Sequence, residues 1–180
     1  MAVPPIPALR PSRTAGLKQL GVYLRQARFS WYIAFVQFPG VAERSLDRLI
    51  PRLWRDWSPG YPAREDIAHT FAALPTPEHR TAALSYYRAF AQVTRRPAAP
   101  YAQLHRSWDR ASGVPMLYLH GHHDHTLHPA LTASVADVLP RGSLVETVDD
   151  AGHFLHLEQP DTVAALVSSF LGRAGAETDD

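Results

Sequence analysis

The hydrophobic pattern of this chain changes period once, near Val114, and that change limits the folds open to it. Before it, apolar residues recur at three and four. Leu17, Leu20, Gly21, Leu24, Ala27 and Phe29 fall near one face, and Leu46, Leu49, Ile50, Leu53, Trp54 and Trp57 near another. That is the spacing of amphipathic helices. After it come short runs of strand length. Val114 to His120 is apolar and ends on Gly121, and Ser143 to Val148 alternates weakly. A short apolar run between breakers suits a parallel strand buried on both faces. Residues 14–110 therefore read as a helical block, and 111–173 as strand, helix, strand, helix. The second part carries the alternation of an α/β fold.

Punctuation residues divide the block further. Residues 1–13 are proline-rich and read as an extended lead-in. A helix is expected from Thr14 to Phe38, ended by Pro39-Gly40, and a second from Val41 to Trp57, kinked or split by Pro51. Ser58-Pro59-Gly60 marks a turn. A short helix from Arg64 to Ala73 starts with Glu65 and Asp66, and Thr76-Pro77 opens a helix running to Val93. Residues 95–100 read as a linker. In the second part, helices are expected at Pro129–Leu139 and Asp161–Leu171. Gly172 stops the latter, and 174–180 form a disordered tail.

Charge and composition narrow the function. The 18 basic and 17 acidic side chains are interspersed, with no basic stripe, which argues against nucleic acid as a partner. With no cysteine there is neither a disulfide framework nor a thiolate zinc site. Met1 to Pro7 has no charged or apolar region of a secretion signal, and Phe29 to Phe38 is too short to span a bilayer. No membrane association is expected, and a soluble cytoplasmic protein is.

Two segments carry the chemistry. Asp124 follows the first strand in Leu119-His120-Gly121-His122-His123-Asp124, and His153 follows the second in Asp150-Ala151-Gly152-His153-Phe154. Sites in α/β sheets lie beyond the carboxyl ends of the strands. An acid there can fix the tautomer of a neighbouring histidine, the natural general base near neutral pH. The strand-Gly-x-x-Asp and Gly-His-Phe-x-x-x-Glu-x-Pro pair resembles the end of the α/β-hydrolase fold, whose triad runs nucleophile, acid, histidine. The resemblance implies the last strands and helices of a parallel sheet preceded by a helical cap, with Asp124 as acid and His153 as base. Trp31-Tyr32, Gln37 and Pro39-Gly40-Val41-Ala42-Glu43 resemble the first cap helix of soluble epoxide hydrolases, and Tyr86-Tyr87-Arg88 a later one. That likeness assigns Tyr32 and Tyr87 to the oxygen of an epoxide, with Tyr86 as the other candidate for the inward position, and Trp31 and Phe154 to substrate binding. It implies no cofactor and a small hydrophobic substrate: an epoxide, or an ester or halide if the chain is closer to serine esterases or haloalkane dehalogenases.

The nucleophile is missing from this pattern. It needs a Gly-x-Ser-x-Gly or Gly-x-Asp-x-Gly type elbow, yet no two of the ten glycines are four apart. The His-Gly-x-Pro-type segment of the oxyanion hole is absent too. The expectation is a truncated hydrolase, inactive alone and poorly soluble, oligomeric or completed by an N-terminal half. A non-catalytic remnant is the alternative.

A different class competes locally. His120-x-His122-x-Asp124-His125 matches the motif with which metallo-β-lactamase-like hydrolases hold metal ions, and His123 and His128 lie close by. That fold needs further ligands downstream and a strand-rich sandwich. Only His153 and His156 follow, and residues 14–93 are helical in pattern, so no native metal site is expected.

Overall fold

The computed structural model describes residues 17–91, 99–103, 113–133 and 135–176. The lead-in at 1–13 and most of the 95–100 linker lie outside them. Helix α1 spans Leu17–Phe29 and α2 Trp31–Phe35. The single helix expected up to Phe38 thus breaks at Ser30. Ser30 leaves helical geometry while the Gln26 amide holds its hydroxyl at 2.9 Å. At the next turn Gly40 adopts φ +77°, a left-handed conformation that a side chain would disfavour. Glu43 then accepts the Gly40 N–H at 2.7 Å, satisfying a donor at the start of α3 (Val41–Trp57). α3 is one element through Pro51, so the expected split does not occur. Its leucines at 46 and 49 hold the surrounding turns to the core.

Helices α4 (Arg64–Ala72) and α5 (Pro77–Ala91) complete the helical part. Its core is Val36, Ala42, Leu46, Leu49 and Leu84, flanked by Trp31, Tyr32, Phe35, Ile50, Leu53 and Tyr87. Arg88 seals it. Its Nε donates to the Val36 carbonyl at 2.8 Å and its Nη1 to Glu43 at 2.7 Å, tying α5 to the start of α3.

Strands β1 (Leu117–Gly121) and β2 (Leu144–Val148) pair in parallel, Leu117 beside Leu144 and Gly121 beside Val148. Between them lie the four-residue α6 (Pro129–Thr132) and a 3-10 turn at Ala136–Val138. The continuous helix expected from Pro129 to Leu139 is not formed. Val135 is instead fully buried against Tyr118, with Val138 and Leu139 around it, and that packing wins over local helical pattern. After β2 come α7 (Leu155–Glu158) and α8 (Pro160–Ala176). α8 passes through Gly172, where a Cβ would meet nothing, so the glycine is not a stop and residues 174–176 of the expected tail are helical. Among the described residues no helix is long and apolar enough to cross a membrane.

Candidate active site

Both strands end at the same place. Past β1 the chain turns tightly, the Asp124 N–H donating to the Gly121 carbonyl at 3.1 Å. The His122 and His123 N–H groups donate to the Val148 and Ala151 carbonyls at 3.0 and 2.8 Å. The loops after β1 and β2 are thereby stitched together. Gly121 permits this, because a Cβ there would overlap the Gly152 carbonyl. The result sets Asp124 against His153, with Nδ1 3.0 Å from Oδ2 and both side chains more than nine-tenths buried.

Thr126 joins the pair, and the sequence reading missed it. Its N–H and its hydroxyl both lie 2.6 Å from Asp124 Oδ1, and Oγ1 lies 3.0 Å from His153 Nδ1. The hydroxyl hydrogen goes to the carboxylate, so the oxygen is free to accept from Nδ1–H. Asp124 Oδ2 and Thr126 Oγ1 together favour the tautomer that leaves a lone pair on Nε2. Burial alone would raise the Asp124 pKa, but the hydrogen bonds from His153 and Thr126 outweigh it and hold the carboxyl below its ordinary value. An aspartate side chain readily accepts the backbone N–H two residues on, which sets residue 126 beside Asp124, so a signal was present.

Behind Asp124 sits His120, also buried. Its Nδ1 is 3.9 Å from Asp124 Oδ2 and 3.4 Å from the Tyr118 hydroxyl, and its Nε2 is buried without a hydrogen-bond partner. Burial lowers its pKa, the nearby carboxylate opposes this, and His153 adds to the lowering. A neutral imidazole results at neutral pH.

The two tyrosines are half-buried and meet each other. Tyr32 and Tyr87 pack edge to face with centroids 5.6 Å apart, whereas Tyr86 is exposed. Tyr87 is therefore the inward member of the pair. Trp57 lies between the tyrosines and the Asp124–His153 pair, its ring 5.2 Å from Tyr32 and 5.3 Å from His153. Burial raises the pKa of Tyr32 well above its ordinary value, with smaller contributions from Tyr87 and Asp124; burial and Tyr86 raise that of Tyr87. Both phenols stay protonated near neutral pH.

Trp31 and Phe154 border two separate clefts. Trp31 lies under the Arg52 guanidinium at 4.5 Å and lines a cleft of about 470 Å³ with Phe29, Trp57 and His125. Phe154 stacks on Trp54 at 3.8 Å and borders a groove of about 300 Å³ that also contacts His153. Neither cleft is lined by Tyr32 or Tyr87.

The histidine run does not assemble a metal site. His122 and His123 are exposed and pack on each other, His125 and His128 stack against Phe29, and His120 is buried behind Asp124. Among the described residues no three histidine, aspartate or glutamate side chains gather as ligands would.

Known proteins bring the pattern into focus. A family model described as the alpha/beta hydrolase family matches residues 7–166. AB hydrolase superfamily protein YfhM of Bacillus subtilis (strain 168) is 28% identical over 147 residues, covering 79% of this chain and 48% of that protein. Carboxylesterase YbfK of the same organism is 43% identical over 58 residues, 32% of this chain and 20% of that one. The crystal structure of "a putative epoxide hydrolase" from Klebsiella pneumoniae aligns with a TM-score of 0.66 at 21% identity, covering 94% of this chain and 55% of that one. The chain thus spans about half the length of YfhM and of that structure, and a fifth of YbfK.

Proposed function

The chain belongs to the alpha/beta hydrolase family, and we propose that it supplies the acid, the base and the substrate-oxygen donors of an epoxide-hydrolase-like enzyme. The continuous contact from Asp124 to His153, Trp57, Tyr32 and Tyr87 supports the reading most directly. In it, His153 Nε2 takes a proton from water, and Asp124, ionised at neutral pH, stabilises the imidazolium. The nucleophile's carboxylate attacks a ring carbon, and the C–O bond breaks while Tyr32 and Tyr87 donate hydrogen bonds to the departing oxygen, one phenol giving it a proton. The hydroxide formed at His153 then cleaves the resulting ester, releasing the diol and the carboxylate, and the imidazolium proton returns to the phenolate. Phe154, in the groove that also contacts His153, contacts the apolar part of the substrate, and Trp31, on the other cleft, does not share that contact. The reaction needs no cofactor, and the cytoplasm is its place. We assign the nucleophile to a segment outside these 180 residues, because no glycine pair here can form its elbow.

A second reading, ester hydrolysis from a serine elbow, is favoured by the 43% identity with a carboxylesterase over 58 residues. Esters need no phenol donors, and the tyrosine pair is what tips the choice. The test is co-expression with an N-terminal hydrolase half carrying either Gly-x-Asp-x-Gly or Gly-x-Ser-x-Gly, assayed on an aryl epoxide and a nitrophenyl ester. The aspartate pairing should yield diol. His153→Gln and Asp124→Asn should lower the rate by about a thousandfold or more. Tyr32→Phe should cost the epoxide reaction at least about tenfold and spare ester hydrolysis. Ester turnover alone, indifferent to Tyr32→Phe, would move the assignment to an esterase. Diol formation by the 180-residue chain without a partner would overturn the placement of the nucleophile.

A further inference from the structure

The turn that carries His153 has three successive backbone N–H groups, and each ends on a partner that belongs to, or is held by, the end of α3. Gly152 N–H donates to Glu158 Oε2 at 2.9 Å, His153 N–H to the Trp57 carbonyl at 3.0 Å, and Phe154 N–H to Ser58 Oγ at 3.2 Å. Ser58, 1% exposed, closes the set by donating its hydroxyl to Glu158 Oε1 at 2.7 Å. The backbones are in contact as well. A Cβ on Gly152 would lie 2.7 Å from both Ser58 Cα and the Trp57 carbonyl oxygen.

We propose that this latch is a positioning device: Ser58 and Glu158 hold the 152–154 turn so that His153 Nδ1 stays on Asp124 and Thr126. The adjacent Trp57 ring, packed edge-on to both His153 and Tyr32, makes the end of α3 the common support of base and phenol. The ring of His153 has Asp124 and Thr126 as its hydrogen-bond partners, and neither Ser58 nor Glu158 hydrogen-bonds it. They act through its backbone, which fixes the direction from which the ring must leave. A turn held at three consecutive donors has little freedom to swing the imidazole off the carboxylate, whereas a turn held at one does. The proposal rests on the functional reading above only in calling His153 the base. The geometry it concerns is the imidazole–carboxylate pair itself.

The test reads that pair directly in the full chain with 15N-labelled histidine. Nuclear magnetic resonance gives the position of the His153 Nδ1–H signal and its exchange rate with water. Asp124→Asn should remove the downfield signal. If it does not, the acid–base pairing fails rather than the latch. With the pairing established, Ser58→Ala and Glu158→Gln should each move the signal upfield and speed its exchange by about tenfold or more. Tyr32→Phe should leave it in place. Thermal unfolding separates this effect from general loosening, since a merely structural role would lower the midpoint without moving the signal. Should Ser58→Ala fail to fold, Glu158→Gln, which keeps side-chain volume, decides alone. Folded variants whose Nδ1–H signal and exchange match the parent would overturn the proposal.

Discussion

At the scale of single residues, Thr126 ties the acid to the histidine. Its hydroxyl donates to Asp124 and faces His153, and its backbone N–H meets the same carboxylate oxygen. Thr126→Val keeps the shape and the backbone bond but removes the hydroxyl. A hydrogen bond to a charged group contributes about 1.5–3 kcal/mol, so the unfolding free energy measured in urea should fall by about that much. The Asp124 carboxyl should also rise toward its ordinary pKa, because one of the hydrogen bonds that lower it is gone. An unchanged urea midpoint would show that solvent replaces the hydroxyl at no cost. How far such residues can be read from sequence depends on how local their partners are. Asp124 and His153 stand at strand ends, where periodicity and glycine spacing locate them. Thr126 sits two residues from Asp124, within reach of a local-turn argument. Ser58 and Glu158 are 100 residues apart, and no local pattern in either segment announces the other.

At the scale of elements, the helical part is held by an ion pair as well as by its core. Glu43 and Arg88 lie 2.7 Å apart with side chains 17% and 14% exposed. The Arg88 hydrogen bond is the main cause that holds the Glu43 pKa down at about 2, and burial opposes it. A carboxyl depressed in the folded state adds stability above its unfolded pKa and loses it as the pH falls through the folded one. The contribution should therefore be complete above about pH 4.5 and fade towards pH 2, with Asp124 acting in the same direction. Glu43→Gln should be less stable than the parent near pH 7 by about 1 kcal/mol. Its stability should also fall less steeply across that acid window, as thermal melts at a series of pH values would show. Parallel curves for the two proteins would mean the pair contributes nothing to stability. The elements themselves are legible where periodicity and packing agree: α3 from its three-and-four spacing, β1 from its short apolar run and β2 from its weak alternation. They are not legible where tertiary contacts decide. Val135 buries itself against Tyr118 at the start of a 3-10 turn instead of extending a helix from Pro129. Gly172 lacks the left-handed φ that would make it a stop, so α8 continues to Ala176.

At the scale of the whole molecule, the described sheet is too small for the residues it displays. Parallel strands are normally covered on both faces, and a two-stranded ribbon is marginal in water. Here β2 leaves Val145, Glu146 and Thr147 exposed at its centre, and β1 has no strand on its other edge among the described residues. Apolar side chains on two helices face outward as well: Leu20 and Leu24 on α1, and Val167 and Leu171 on α8. An open strand edge beside uncovered apolar side chains favours association, because pairing satisfies the edge and burial removes the apolar surface from water. The isolated chain should therefore elute above monomer size and bind a dye that reports exposed apolar surface. Co-expression with an N-terminal hydrolase half should shift it to a defined one-to-one complex and reduce the dye signal. Two strand substitutions separate edge pairing from general stickiness. Lysine at Val145 adds charge to the exposed face of β2 and should reduce self-association with or without a partner strand on β1. Proline at Leu119 removes a backbone donor from β1 and should weaken the complex as well. Light scattering that finds a monomer at every concentration, with no gain from the added half, would show that the surfaces named here are stable in water as they stand.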